Sequence, residues 1–103
     1  MRIPKSFQLQ GHTIQVVFDN EDCEKRKFCR YADLNGNKIV LATKVFEDKF
    51  PKTKIEQTFI HEVIHHILEA LGENKLNDNE KFVDGFAGHL HQILSTFNYE
   101  SEN

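Results

Sequence analysis

The chain has no tryptophan, one methionine, two prolines and five glycines. No apolar run approaches the roughly 20 residues that a membrane-spanning helix needs. The opening "MRIPKSFQLQ" lacks the apolar core of a secretory signal. Positive charge is not in excess. The formal net charge is -3 and the pI about 6.0, which argues against nucleic-acid binding through a general electrostatic patch. The basic cluster Lys25-Arg26-Lys27 sits beside Glu21, Asp22 and Glu24 and reads as a mixed-sign solvated loop. Cys23 and Cys29 do not match the usual zinc-site spacing and read as reduced thiols. Repeats, low-complexity segments and linkers are absent. Together these absences predict a cytoplasmic chain that meets neither membrane nor nucleic acid. Its 103 residues form one domain over 1–103. That length can bury a core without disulfide support, and nine phenylalanines would fill it.

The apolar periodicity changes near Pro51, from about two before it to about 3.6 after it. Phe7 and Leu9, then Ile14, Val16 and Phe18, alternate with polar residues around a Gly11-His12 turn, which predicts a hairpin. "NEDCEKRK" reads as a polar loop and "FCRYAD" as a weak strand. Asn35-Gly36 signals a turn before the strand Lys38–Thr43, and "KVFEDKF" is ambiguous, with a short helical turn one option. Thr53 and Glu56 have the spacing of a capping box. A helix follows with Ile60, Ile64, Ile67, Leu68 and Leu71 on its stripe and Gly72 as its stop. A second helix starts near Asn77 or Asp78, with Phe82, Phe86, Leu90, Ile93 and Phe97 as its buried stripe. The expected fold class is α+β, with a small twisted antiparallel sheet of three or four strands packed on two helices.

The first helix carries "TFIHEVIHHILEALG". His61 and His65 are four apart, so their side chains project from neighbouring turns of one face. Neutral imidazoles so placed can both reach one Zn2+ at about 2.0–2.1 Å. Glu62 lies about 100° further round, beside such a metal and not on it. There it can act as general base, taking a proton from water and passing it to a leaving amine. An open site needs a third protein ligand. Glu80 and Asp84, also four apart, are the candidates on the second helix. Glu80 would bind the metal. Asp84 would accept the second N–H of a liganding histidine and fix its tautomer, or take the ligand role itself. Glu80 could instead close a capping box with Asn77.

Gly85 and Gly88 weaken a helix by about 1 kcal/mol each relative to alanine, which suggests that they make room for close packing by the first helix. His66 is offset from the His61–His65 face, and is expected at the rim of the site or on the surface. His91 lies too far along the axis from Glu80 to share its metal, and His89 is off that face. An oxyanion needs a donor besides the metal. His66, Tyr31 and Tyr99 are the candidates. No nucleophilic Ser or Cys arrangement and no phosphate-cradling loop is present.

"FIHEVIHHIL" followed by "NEKFVDGFAGHLHQIL" resembles the gluzincin zinc peptidases, in which H-E-x-x-H is completed by a glutamate on a following helix. Glu80 to Asp84 is similar to the E-x-x-x-D of thermolysin-like enzymes. The short length resembles the small ImmA/IrrE-type peptidase-like proteins of bacteria and their phages. The resemblance implies a minimal zincin-like domain in which strand Lys38–Thr43 borders a cleft. An extended peptide would add to that strand's edge. It also implies a narrow peptide or protein substrate. Three readings follow. One is a zinc metallopeptidase using Glu62. A second is a catalytically inactive zinc-binding protein of peptidase fold that acts through a partner. The third is a metal-free domain with a chance motif. The expected state is a monomer or weak dimer, since an unpaired sheet edge makes pairing conceivable.

Overall fold

The computed structural model describes residues 1–26, 30–34 and 36–100, with Arg30 and Tyr31 described by backbone alone. The expected Asn35-Gly36 turn, Lys27 and Cys29 therefore fall wholly or partly outside the described residues. The chain is α+β, as its periodicity predicts. A hairpin of β1 (Ser6–Leu9) and β2 (His12–Phe18) opens it, followed by α1 (Asn20–Arg26), β3 (Arg30–Asp33) and β4 (Lys38–Leu41). A small second hairpin, β5 (Lys44–Val45) and β6 (Asp48–Lys49), leads into α2 (Lys52–Leu71). After it come α3 (Asn74–Asn77) and α4 (Glu80–Ser95).

The main sheet has the order β1-β2-β4-β3. Its outer pairs are antiparallel, but β2 and β4 run parallel, with Val16 opposite Ile39 and Phe18 opposite Leu41. The sheet is thus mixed and not wholly antiparallel. A parallel pair needs a long crossover, and α1 with β3 supplies it. Strand β4 is interior, hydrogen-bonded along both edges. A peptide cannot add to it as expected, and the sheet edges are β1 and β3.

Alternation gives the sheet two covered faces. Ile14, Val16, Ile39 and Leu41 point to α2 and α4, where they meet Phe59, Ile60, Ile64, Leu68, Val83 and Ala87. Val40 and Ala42 point the other way and bury Cys23 of α1 beside Phe50.

Several local expectations are corrected. The first hairpin turns through Gln10 and Gly11, one residue earlier than Gly11-His12. Both have positive φ, 51° and 79°, the pattern of a type I′ turn, which favours glycine in its second place. "NEDCEKR" is a helix and not a loop. Asp19 accepts from the Asp22 N–H at 3.0 Å, and Glu21–Lys25 and Asp22–Arg26 pair at 3.3 and 3.2 Å one turn apart. "KVFEDK" is a hairpin, whose Phe46 N–H donates to Glu24 Oε1 at 2.8 Å.

Helix α2 starts after Pro51 without a side-chain cap, so the Thr53–Glu56 box does not form. It ends at Gly72 in the left-handed region (φ 74°), as its sequence predicts. Asn79 caps α4 by accepting from the Phe82 N–H at 3.1 Å, which replaces the Asn77–Glu80 box. On α4 the buried residues are Val83, Ala87 and His91, and Phe82 and Leu90 of the expected stripe pack part-buried against the core, whereas Phe86 and Ile93, with Phe97 just beyond the helix, are about half exposed. The buried stripe is rotated from the phenylalanine line. The glycines do not mark close packing either, because a Cβ at Gly85 or Gly88 would meet nothing within 4 Å.

Candidate metal centre

Two turns of α2 and the first turn of α4 converge at one point. Ile60, Ile64 and Leu68 commit one face of α2 to the core, and that fixes the rotation at which His61 and His65 emerge toward α4. Their Nε2 atoms lie 3.1 Å apart. Glu80 straddles them, with Oε2 3.2 Å from His61 Nε2 and Oε1 3.2 Å from His65 Nε2. These three residues form the group that could hold a metal ion among the described residues. Bonds of about 2.0–2.1 Å at tetrahedral angles place neighbouring donors about 3.3 Å apart. The two imidazole nitrogens are close to that spacing, and each faces a different oxygen of the Glu80 carboxylate at a similar distance.

Both outer ring nitrogens also face oxygen. His61 Nδ1 is 2.7 Å from Asp84 Oδ1. His65 Nδ1 is 2.5 Å from Asn77 Oδ1. An acceptor on Nδ1 holds the proton there and leaves the Nε2 lone pair directed at the shared point. Two imidazoles need two acceptors, and Asp84 serves only one. That shortfall is the signal in the sequence that points to the polar connection between the helices. Asn77 is the residue missed, because its place before Glu80 reads equally well as a cap.

Glu62 is buried, and its Oε2 lies 3.8 Å from His61 Nε2, beside the three-residue group and not part of it. The centre is closed on the α2 side and open on the α4 side. The His61 and His65 side chains are 6% and 15% exposed, while Glu80 and Asp84 are 60% and 63% exposed. A recess of about 160 Å³ adjoins it, walled by Lys54, Gln57, Thr58 and Gly88 together with His61 and Asp84.

The other histidines have separate roles. His66 is buried and its Nε2 bonds the Lys38 carbonyl at 3.1 Å, tying α2 to β4; it is not at a rim. His91 is buried 2.8 Å from Glu56 Oε1, and Ser95 Oγ meets the same Nε2 at 3.2 Å. Both partners use one ring nitrogen, so this is not a catalytic triad. The bond from His91 holds the Glu56 carboxyl below its ordinary value against the opposing effect of burial, with the Met1 amine and Lys52 adding to it. Tyr99 is 83% exposed and rests on Phe97. The Tyr31 side chain lies outside the described residues. No described helix is long and apolar enough to cross a membrane.

Comparison with protein-family models, with curated proteins and with solved structures finds no match to this chain.

Proposed function

We propose that the chain is a zinc-dependent peptide hydrolase, with His61, His65 and Glu80 as ligands and Glu62 as general base. The observation that carries this is the convergence of His61 Nε2, His65 Nε2 and the Glu80 carboxylate within 3.1–3.2 Å contacts, with the buried Glu62 carboxylate 3.8 Å from His61 Nε2. A structural metal would not require Glu62 there. Zinc held by this set supplies Lewis acidity toward a carbonyl and toward water.

The chain's own residues supply the rest. Asp84 and Asn77 orient the two imidazoles. Glu62 holds a carboxylate that can accept a proton at Oε2 and return it to a leaving amine. The half-exposed acids leave the α4 side accessible to a peptide. Gln57 and Thr58 line the adjoining recess and can hydrogen-bond a bound chain. The resemblance to small gluzincin-type peptidases noted from the sequence points the same way, toward a narrow protein substrate.

A second reading has its own support. It is a catalytically inactive zinc-binding protein that acts through a partner. Of the expected oxyanion donors, His66 is already bonded to the Lys38 carbonyl and Tyr99 lies far out in solvent.

Glu62→Gln separates the two. Metal is measured by elemental analysis and cleavage on a peptide library. Hydrolysis reads as retained zinc with cleavage reduced by at least about 10²-fold. Inactive zinc binding reads as retained zinc with no cleavage by wild type at all. No zinc in wild type after metal is restored sinks both.

A further inference from the structure

We propose that the recess between α2 and α4 is the subsite for a substrate side chain carrying a primary amide, a glutamine or asparagine beside the bond to be cut. The inference rests on the hydrolase reading above and names its substrate class.

The recess forms where two helix stripes face each other. Lys54, Gln57, Thr58 and His61 recur at three- and four-residue steps and so share one face of α2. Asp84, Ala87 and Gly88 do the same on α4. His61 belongs both to the recess and to the metal centre. A side chain lodged here therefore comes from a residue close to the scissile bond.

Size selects first. A volume of about 160 Å³ holds about five waters at roughly 30 Å³ each. That is the bulk of a glutamine side chain, and an aromatic ring exceeds it. Gly88 keeps the space open. Glycine inside a helix weakens it relative to alanine, and a Cβ here would meet nothing within 4 Å. Among the described residues nothing packs there that would require glycine. An occupant of the recess does require it.

Polarity selects next. Gln57 and Thr58 can each donate and accept. The Asp84 carboxylate only accepts, and it can take another donor besides His61 Nδ1 at 2.7 Å. Lys54 only donates. Its ammonium rests over the Phe50 ring, 4.5 Å from the centroid. On an exposed side chain that contact is weak and can be exchanged for a charge-assisted hydrogen bond. The charges of Lys54 and Asp84 cancel. A carboxylate in the recess would face Asp84, and an ammonium would face Lys54. An amide offers its carbonyl to the donors and its NH2 to the acceptors. An apolar side chain would displace water from these groups and replace none of its hydrogen bonds.

The test uses zinc-loaded protein and peptides that carry Gln, Glu, Lys, Leu or Phe at each position beside the scissile bond. Wild type should cleave one glutamine series with kcat/KM about tenfold above the others. Lys54→Glu turns the donor end into an acceptor and should move the preference to lysine. Gly88→Met fills the recess and should level the preferences, with zinc content by elemental analysis unchanged. Fluorescence anisotropy with Glu62→Gln should rank peptide binding in the same order without turnover. Cleavage that treats all five alike overturns the subsite and leaves the hydrolase standing. So does a glutamine preference that survives both Lys54→Glu and Gly88→Met. Glutamine-selective binding without cleavage by wild type supports the subsite and overturns the hydrolase. Protein that neither binds nor cleaves any of the peptides overturns both.

Discussion

Asn77 presents its side-chain oxygen 2.5 Å from His65 Nδ1. The residue belongs to α3, a single turn whose position is set by Gly72 ending α2 and Asn79 starting α4. An acceptor there keeps the proton on Nδ1 and the Nε2 lone pair free. Asn77→Ala should therefore raise the zinc dissociation constant by about 10–100-fold, while Asn77→Asp retains binding. Competition against a chromophoric chelator measures both. Equal affinity in wild type and Asn77→Ala would remove the residue from the centre.

Metal should be visible in stability. Ligand that binds only the folded chain stabilises it by about 2.7 kcal/mol at a hundredfold excess over Kd. For a domain of this size each kcal/mol moves Tm by about 4–8 °C. Zinc is expected to raise Tm by more than 10 °C on this basis, about as much as chelator lowers it again. Glu80→Ala should abolish most of the gain, and a Tm indifferent to zinc in wild type would refute the centre.

The Glu56–His91 pair predicts an acid limb. The Glu56 carboxyl ionises more readily in the folded chain than at its ordinary value of 4.5. Its contribution to stability is therefore complete above about pH 4.5 and is lost as pH falls through the lower folded value. Thermal melts on acidification should show a Tm decline that is shallower in Glu56→Gln. His91→Leu, which leaves a buried carboxylate short of its main partner, should cost about 1–3 kcal/mol in denaturant unfolding at neutral pH. Parallel acid limbs in wild type and Glu56→Gln would remove Glu56 as their source.

Gly88→Ala should stabilise the chain by about 0.5–1 kcal/mol. The position is helical, and an added Cβ meets nothing within 4 Å. Urea unfolding reads the gain. A loss would mean that the recess beside His61 needs that space.

The α+β class and the two long helices are legible because Ile60, Ile64 and Leu68 repeat at helical spacing and Ile14 and Val16 alternate. His61, His65 and Glu80 are legible as a set because a metal requires donors one turn apart and a third from elsewhere. What escapes has physical causes. The parallel β2–β4 pair depends on a crossover that local alternation does not encode. Helix α1 carries its signals in Asp19 and two charge pairs, which compete with the look of a polar loop. Glu56 reads as half of a cap because local spacing is visible and a partner 35 residues away is not. His66 reads as peripheral because nothing local shows that its ring nitrogen reaches the Lys38 carbonyl across the domain. The phenylalanine line of α4 misleads because size is not burial. The smaller Val83 and Ala87 take the core and leave Phe86 outside.

The donors of the centre come from one short stretch of chain, His61 to Glu80, closed by the tight turn at Gly72. Loop-closure entropy for such a stretch is small, and contacts this local form early in folding. A metal held there would therefore clasp α2 and α4 before the non-local β2–β4 ladder has zipped. Zinc should then speed the early docking of α2 on α4 and leave the slower formation of the sheet unchanged.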